Sequence, residues 1–254
     1  MTHKPTDCGI RKALVLAAGK STRIRTAVGD TPKPLIEVAG QTVLERNLCM
    51  LAGIGVQEAW VNLHYEGEQI EKRIGDGRRL GLDVKYSHEP EILGTAGAAK
   101  KLERELRHGT FFIVYGDNLV SLNWTEFAEA HARSEALVTI AVFDFDRVPN
   151  TGLAGGRVVL DNAHRVERFV EGGENVSPYV NAGVYLVEPS ILSTLPDGFS
   201  DFGKDVFPKL IADGGKLMAC PIDGYCLAID TPEALERAEQ MMREFASASE
   251  VAAR

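Results

Sequence analysis

Apolar and polar positions follow two patterns that alternate along the first 145 residues. Short apolar runs, typical of buried strands, occur at residues 12–18, 59–63, 82–86, 111–115 and 136–143. Between them, apolar positions recur at helical spacing at residues 42–54, 67–74, 96–106 and 124–133. This alternation predicts βαβ units in an open, mainly parallel α/β sheet, in which ligands bind outside the carboxyl ends of the strands.

The pattern changes between Pro149 and about Pro196. Short strand-type runs at residues 156–160, 165–170 and 180–187 are separated by Gly, Asn and Pro, which predicts a β-rich insertion or subdomain. Beyond it we expect a helix at residues 201–212, two short strands at 217–221 and 225–229, and a last helix from Pro232. The residues after Phe245 are predicted to form a fraying tail.

Composition narrows the class of protein. The chain has 254 residues, 44% of them hydrophobic and 25% charged, so it can bury a core and is neither disordered nor a disulfide-stapled miniprotein. Its net charge of −8 disfavours duplex nucleic acid as a partner. No apolar stretch is long enough for a membrane span or a signal peptide, and the four cysteines include no C-x-x-C pair. We therefore expect a cytoplasmic protein with free thiols.

A long loop follows the first predicted strand. Residues 19–31 mix Gly, Ser, Thr, Asp and basic residues, and two prolines come directly after them, so the segment cannot be a helix. Loops of this length inside a domain are usually functional. The loop and its surroundings carry two cations, Arg23 and Lys33. Together with small residues that let a ligand approach the backbone, they predict a nucleotide site at the strand end formed by Leu16, Ala17, Ala18 and Gly19.

Two motifs in this region resemble the signature of the sugar-1-phosphate nucleotidyltransferases, a strand with Leu-Ala-Ala-Gly-x-Gly-Thr-Arg and then Pro-Lys-Pro-Leu. Here they read Leu16-Ala17-Ala18-Gly19-Lys20-Ser21-Thr22-Arg23 and Pro32-Lys33-Pro34-Leu35. Four later segments resemble further landmarks of that family and occur in the family's order: residues 93–97, 115–118, 180–185 and 202–208. The resemblance therefore covers nearly the whole chain.

The resemblance implies a fold and a division of the chain. It implies a Rossmann-like open mixed sheet, mainly parallel, with helices on both faces and a β-rich sugar-binding insertion. We expect one nucleotidyltransferase domain over residues 1–254. It comprises a nucleotide-binding half (10–145), a β-rich sugar-binding half (146–230), a C-terminal helix (231–245) and a tail (246–254).

The resemblance also implies an activity. The sequence looks most like the heptose- and mannose-1-phosphate guanylyltransferases, so we expect transfer of a nucleoside monophosphate from GTP to a sugar or cyclitol 1-phosphate, with release of pyrophosphate. Uridylyl-, thymidylyl- and cytidylyltransferases of the same family are alternatives. A catalytically weak, nucleotide-sugar-binding regulatory homologue is another. The expected partners are a nucleoside triphosphate and a sugar 1-phosphate, without nucleic acid or membrane, and the β-rich insertion could support a homodimer.

Three residues are the candidates for catalysis. The planar guanidinium of Arg23 can bind the departing phosphates, and Lys33, held between two prolines, can offer a point charge to the phosphate under attack. Asp117 follows a buried strand, where a carboxylate needs a partner, and Mg²⁺ prefers such oxygen ligands. The alternative for Asp117 is a structural role in a turn, because Gly116 and Asn118 flank it.

Further residues match the substrate-binding positions of the family. Gly94, Thr95 and Gly97 match the segment that holds the nucleobase, although this segment could also serve only to start a helix. Glu171 and Asn181 match positions that meet the sugar hydroxyls and phosphate. Gly152 matches a glycine that lets the sugar approach.

The sequence departs from the family pattern at three positions. Ser21 replaces a loop glycine, a small change that the loop should tolerate. Gly172 replaces the lysine that binds the sugar phosphate, so that charge would come from Arg168 or Lys204. Ala228 replaces the usual second metal-binding aspartate. Asp230, two residues further along the same strand face, is then either a substitute metal ligand or the N-cap of the last helix.

Overall fold

The computed structural model describes residues 7–19, 23–152, 155–172 and 175–252. Its strands are β1 (Lys12–Leu16), β2 (Glu37–Val38), β3 (Gln41–Thr42), β4 (Glu58–Leu63), β5 (Asp83–His88), β6 (Phe111–Tyr115), β7 (Asn118–Ser121), β8 (Val138–Asp144), β9 (Arg157–Leu160), β10 (Val166–Val170), β11 (Tyr179–Val187), β12 (Leu217–Pro221) and β13 (Tyr225–Ala228).

The α-helices are α1 (Arg25–Val28), α2 (Val43–Gly53), α3 (Gly67–Ile74), α4 (Gly94–Lys101), α5 (Glu103–Leu106), α6 (Trp124–Ser134), α7 (Phe207–Ala212) and α8 (Pro232–Ala252). Short 3-10 turns lie at Lys33–Leu35, Arg78–Leu80 and Pro189–Thr194, and a π-helical turn at Phe202–Val206 precedes α7. None of the described helices combines the length and the apolar character that crossing a membrane requires.

A mixed sheet of nine strands forms the centre of the structure. Its main path runs β10-β9-β11-β6-β1-β4-β5, with β8 paired to β11 and β12 paired to β8. The pairs β6–β1, β1–β4 and β4–β5 are parallel, and within the described sheet β10 and β11 run against the other strands. The expected mixed, mainly parallel sheet is thus confirmed.

Helices cover both faces of this sheet because successive residues of its strands point to opposite sides. In β1, Ala13 and Val15 belong to a core cluster that includes Leu44 and Leu48 of α2. Leu14, between them, belongs to a second cluster with α4 and α7. All of these named side chains are completely buried, and burying a leucine or valine contributes about 1.5–3 kcal/mol each.

The start of α2 shows how local sequence specifies an element. The Glu45 N–H donates to Thr42 Oγ1 (3.1 Å) and the Thr42 N–H donates to Glu45 Oε2 (3.4 Å), which makes a capping box. Burial opposes ionisation of Glu45, but hydrogen bonds from Arg79, Arg73 and Thr42 outweigh it and lower the pKa of Glu45 to about 2. This carboxylate thus ties α2 both to α3, through Arg73, and to the segment that follows α3, through Arg79.

The structure differs from the sequence-based expectation in several places. The segment at residues 19–31, expected to contain no helix, includes the short helix α1 (Arg25–Val28). The β-rich region contributes β9, β10 and β11 to the central sheet. The expected helix at residues 201–212 begins as a π-helical turn. Residues 246–252, expected as a fraying tail, continue α8, since Ala and Glu favour helix and Ser247 donates from its hydroxyl to the Arg243 carbonyl (3.0 Å).

Candidate active site

A cavity of about 270 Å³ lies at the carboxyl ends of β1, β4, β5 and β6. This is the edge at which ligands of open α/β sheets bind. Its lining includes Leu16, Ala18, Gly19, Asn62, Glu89, Ile92, Gly94, Thr95, Tyr115, Asp117, Phe199 and Asp201. Six of these lining residues are candidates identified from the sequence: Leu16, Ala18, Gly19, Gly94, Thr95 and Asp117. A seventh candidate, Ala17, lies next to the cavity, because it is between Leu16 and Ala18 and its N–H donates to Asn62 Oδ1 (2.7 Å).

A cluster of two cations and two carboxylates lies beside this cavity. Lys33 Nζ is 2.7 Å from Asp117 Oδ2 and also contacts Asp230 Oδ1, while Arg23 Nη2 is 3.3 Å from the same Asp230 oxygen. Lys33 and Asp230 are largely buried, whereas Arg23 is exposed, with 66% of its side chain accessible. The structure therefore brings together residues that are up to 207 positions apart in the chain (Arg23 to Asp230).

Three pieces of local structure position this cluster. Lys33 opens a 3-10 turn between two prolines that restrict its backbone. Asp117 lies in the tight turn between β6 and β7, where the Gly116 N–H donates to the Leu16 carbonyl (2.9 Å). A side chain at 116 would approach that carbonyl to 2.9 Å, so only glycine allows β6 to turn so close to β1. β13 pairs with β7 and delivers Asp230 next to Asp117.

The electrostatics of the cluster keep Lys33 charged. Burial would lower the pKa of Lys33, but the adjacent carboxylates of Asp117 and Asp230 outweigh it and raise that pKa above its ordinary value. Two carboxylates that converge on one cation are also a suitable donor set for Mg²⁺, which commonly binds through one or two carboxylates, waters and substrate phosphates. Within the described ranges, no group of three or more His, Cys, Asp or Glu side chains forms a metal cage.

Asp230 does not cap the last helix. The N–H of Ala234 donates to Thr231 Oγ1 (3.2 Å), so Thr231 is the capping residue of α8, and Asp230 is free to face Lys33 and Arg23. Of the two alternatives for Asp230, the helix-capping role is therefore wrong. The metal-ligand role stays a prediction.

The segment that resembles the nucleobase-binding motif is held by a second loop. Asp201 Oδ1 accepts from both the N–H and the hydroxyl of Thr95 (3.2 Å each), and the Ser200 carbonyl accepts from the N–H groups of Ala96 (2.8 Å) and Gly97 (3.0 Å). These bonds satisfy the first N–H groups of α4. Gly94 and Thr95 line the cavity, whereas Gly97 packs against the carbonyl of Gly198 instead.

Glu171, one of the residues expected at the sugar side, is surrounded by Gly203, Lys204 and Asp201. Burial raises the pKa of Glu171, Lys204 opposes this shift, and Asp201 reinforces it. The Glu171 carboxylate packs against Gly203, where a Cβ would collide with it. Lys204 is thus the cation whose charge acts to lower the pKa of Glu171, and Arg168 is exposed.

The structure gives Asn181 and Gly152 local partners. Asn181 is buried, donates to the Tyr185 hydroxyl (2.7 Å) and accepts from the Gly183 N–H (2.9 Å). Gly152, with φ +84°, donates to Asn150 Oδ1 (3.0 Å), and nothing lies within 4 Å of where its Cβ would be. The departure at Ser21 lies outside the described residues, whereas Gly172 has φ +96°.

Sequence reasoning missed several residues of the cavity. Asn62 and Glu89 are almost fully buried yet line it, and Phe199 lines it with 63% of its surface exposed. Asn62 interrupts an apolar strand run and Glu89 directly follows β5, so a polar residue near the carboxyl end of a predicted strand was an available signal. Phe199 carries no comparable signal, because it lies in a Gly- and Ser-containing loop.

Comparison with known proteins gives consistent results. A family model described as nucleotidyl transferase matches residues 12–244. A UTP–glucose-1-phosphate uridylyltransferase of Synechocystis sp. is 33% identical over 228 residues, which cover 84% of this chain and 58% of the relative. A mannose-1-phosphate guanylyltransferase of Mycobacterium tuberculosis is 33% identical over 215 residues, with the same two shares, 84% and 58%. This chain thus spans less than two thirds of the length of either relative.

The fold agrees with a solved structure. The crystal structure of HddC from Yersinia pseudotuberculosis superposes with a TM-score of 0.78 and 25% identity, over 92% of this chain and 100% of that chain.

Proposed function

This chain belongs to the nucleotidyl transferase family, and we propose that it transfers a nucleoside monophosphate from a nucleoside triphosphate to a sugar or cyclitol 1-phosphate. An oxygen of the sugar phosphate attacks the α-phosphorus, and pyrophosphate leaves. The observation that carries this proposal is the cluster of Lys33, Arg23, Asp117 and Asp230 beside a cavity at the carboxyl edge of the sheet. Phosphoryl transfer needs mainly such positioning and charge neutralisation.

The two cations have separate tasks in this reaction. Arg23 is exposed and therefore accessible to the departing β- and γ-phosphates, which its planar guanidinium can bind through two hydrogen bonds. Lys33 is buried and kept charged, so its ammonium stabilises the negative charge that develops on the α-phosphate. Because the backbone on both sides of Lys33 is already restricted, less conformational entropy is lost when the phosphate binds.

Asp117 and Asp230 are the proposed Mg²⁺ ligands. Nucleotidyltransferases of this family generally depend on a divalent cation, and Mg²⁺ would neutralise charge on the triphosphate when bound. The fit rests on two carboxylates that already converge on one cation, the Lys33 ammonium. Asp117 thereby also orients Lys33.

Lys204 is the proposed source of the sugar-phosphate charge. Gly172 provides no cation at the position where the family has a lysine. Lys204 is exposed, and its positive charge acts to lower the pKa of Glu171. Glu171 would accept hydrogen bonds from sugar hydroxyls. For Asn181 we propose a positioning role through Tyr185, because both of its polar side-chain atoms already have partners.

GTP is the proposed donor. Mannose-1-phosphate guanylyltransferases recur among the relatives, with identities of 29–33%. UTP is the alternative donor, because a uridylyltransferase is also 33% identical to this chain. The free thiols of all four cysteines support a cytoplasmic location.

A second candidate is a catalytically weak nucleotide-sugar-binding homologue. The observation in its favour is Ala228, which is buried and lacks the carboxylate expected there.

One assay separates these functions. Pyrophosphate release is measured for the full chain with GTP, UTP, dTTP and CTP, each paired with mannose, glucose, heptose or inositol 1-phosphate, in Mg²⁺ and after EDTA. We expect the fastest release with GTP, loss of release in EDTA, and a fall of about 100-fold or more for Arg23→Ala. Measurable nucleotide binding without release for any pair would instead identify the weak homologue.

A further inference from the structure

A second cavity lies behind the loop that holds the start of α4. Its volume is about 400 Å³, and it is bounded by the 3-10 turn at Pro189–Thr194, the chain up to Ser200, the π-helical turn at Phe202–Val206 and α7. Sites for small molecules typically have volumes of about 300–1,000 Å³. The described lining residues of this second cavity and of the active-site cavity do not overlap, so the two cavities are separate.

Apolar side chains form much of the wall of the second cavity. Ile191 and Leu195, which are 3% and 5% exposed, are among them. The charged side chains of the wall have partners already, because Lys209 Nζ lies 2.7 Å from Asp213 Oδ2 and the Asp205 carboxylate accepts from a backbone N–H (2.7 Å). These groups therefore do not require a charged ligand, and the apolar wall favours an uncharged, mainly apolar one.

Ser200 is the exception in this wall. Only 1% of its surface is exposed, and its hydroxyl oxygen has no hydrogen-bond partner among the described residues. A buried polar group without a partner costs free energy, and most such groups in proteins are paired. A serine hydroxyl can both donate and accept a hydrogen bond, so one hydroxyl, carbonyl or amide group on a ligand would satisfy it.

The backbone directs this serine away from the active-site cavity. Asp201 has extended backbone dihedrals (φ −112°, ψ 138°), and successive side chains of an extended chain point to opposite sides. Phe199 and Asp201 accordingly line the active-site cavity, whereas Ser200 lies between them and lines the second cavity. Residues 199–201 therefore form part of the wall of both cavities.

The backbone of Ser200 also holds the start of α4. Its N–H donates to the Leu93 carbonyl (2.9 Å), and its carbonyl accepts from the N–H groups of Ala96 (2.8 Å) and Gly97 (3.0 Å). The first turn of α4 contributes to the active-site cavity. A ligand that binds the Ser200 hydroxyl thus stabilises the segment that positions this turn.

We infer that the second cavity is a regulatory site for an uncharged, mainly apolar small molecule with one hydrogen-bonding group, which pairs with the Ser200 hydroxyl. The bound molecule holds residues 199–201 against α4, in the arrangement that forms the active-site cavity, and thereby raises the affinity for the nucleoside triphosphate. Such coupling is reciprocal. The coupling rests on the proposed function, whereas binding in the second cavity does not depend on it.

A matched pair of probes tests the binding. The compound 6-fluoro-2-naphthol carries one hydroxyl, and 2-fluoronaphthalene has the same apolar body without it. Both are titrated with the full chain and followed by fluorine NMR. We expect the naphthol to bind about three-fold to ten-fold more tightly, because it gains one hydrogen bond. Equal affinities for the two probes would overturn the inference.

Two pairs of variants locate the bound probe. Ser200→Ala should abolish the difference between the probes, and Thr194→Trp, which places a large ring in the wall of the cavity, should abolish the binding of both. Ser193→Ala and Ser193→Trp are the matched controls, because Ser193 is exposed in the same 3-10 turn and is not part of the wall. A difference that survives in Ser200→Ala, or binding that survives in Thr194→Trp, would refute the site.

Calorimetric titration of GTP, with and without saturating 6-fluoro-2-naphthol, tests the coupling. We expect the probe to tighten GTP binding by about five-fold or more in the unmodified chain and in Ser193→Trp, and to have no effect in Thr194→Trp. GTP affinity that does not respond to the bound probe would overturn the regulatory role and leave the proposed function standing. Ser200-dependent probe binding without binding of GTP, UTP, dTTP or CTP would instead refute the proposed function, and the coupling with it, but not the second site.

Discussion

Replacing Lys33 by methionine should change metal affinity and turnover in opposite directions. In the structure the Lys33 ammonium forms charge-assisted hydrogen bonds with both Asp117 and Asp230. A divalent cation that binds these carboxylates must displace the ammonium, and each such bond contributes about 1.5–3 kcal/mol. Losing even one of them should tighten metal binding to the nucleotide-free chain by about ten-fold or more. Turnover should fall by about 100- to 1,000-fold, because the α-phosphate loses its charge partner.

Both effects can be measured on the same preparation. Binding of Mn²⁺ to the nucleotide-free chain is followed by the electron paramagnetic resonance of the free ion, and turnover by pyrophosphate release. Lys85→Met is the control, since Lys85 pairs with Glu58 outside the site and its side chain is 42% exposed. The reasoning fails if Mn²⁺ binds Lys33→Met no more tightly than the unmodified chain, because Lys33 and the metal then do not share Asp117 and Asp230.

Three further predictions concern neighbouring residues. Asp230→Ala should reduce Mg²⁺-dependent turnover by about 100-fold; turnover close to that of the unmodified chain would leave Asp230 only as a partner of Lys33. Gly203→Ala places a Cβ against the Glu171 carboxylate. We therefore expect the free energy of unfolding in urea to fall by about 1–3 kcal/mol and the KM for the sugar 1-phosphate to rise. An unchanged KM would contradict the sugar-side role of Glu171. The pKa of Glu45 falls from 4.5 to about 2 on folding, which corresponds to about 3 kcal/mol of stability. This contribution is present above pH 4.5 and is lost as the pH falls toward 2. Glu45→Gln should therefore destabilise the chain in urea unfolding at pH 7 but much less near pH 2.5. Equal destabilisation at both pH values would refute this contribution of Glu45.

Local patterns predicted the elements well where the physical cause is local. The bounds of α3 (Gly67–Ile74) and β6 (Phe111–Tyr115) agree with the sequence-based ones, and α2 lies within the helical segment predicted at residues 42–54. Apolar periodicity and capping residues act within a few positions of the chain, so the sequence contains them directly.

The parts that escaped prediction depend on contacts between distant segments. The pairing of β13 with β7 brings Asp230 to Asp117, and no feature of either short strand specifies the other. Likewise, Glu89 acquires its environment only when β5 lies next to β4, which carries Asn62. Chain-distant contacts of this kind follow from the sheet order, which periodicity does not encode.

The displaced aspartate has a structural explanation that the motif alone could not provide. Ala228 is 1% exposed and pairs with Asn118, while the Thr151 hydroxyl donates to its carbonyl (2.7 Å) and accepts from its N–H (2.8 Å). The side chain at position 228 is buried, so a carboxylate there would need a compensating partner in the interior. Asp230 lies beyond Ala228, the last residue of β13 that pairs with β7, so the strand pairing does not hold its backbone. A carboxylate two residues later can therefore reach the same cation while the buried strand end keeps its packing.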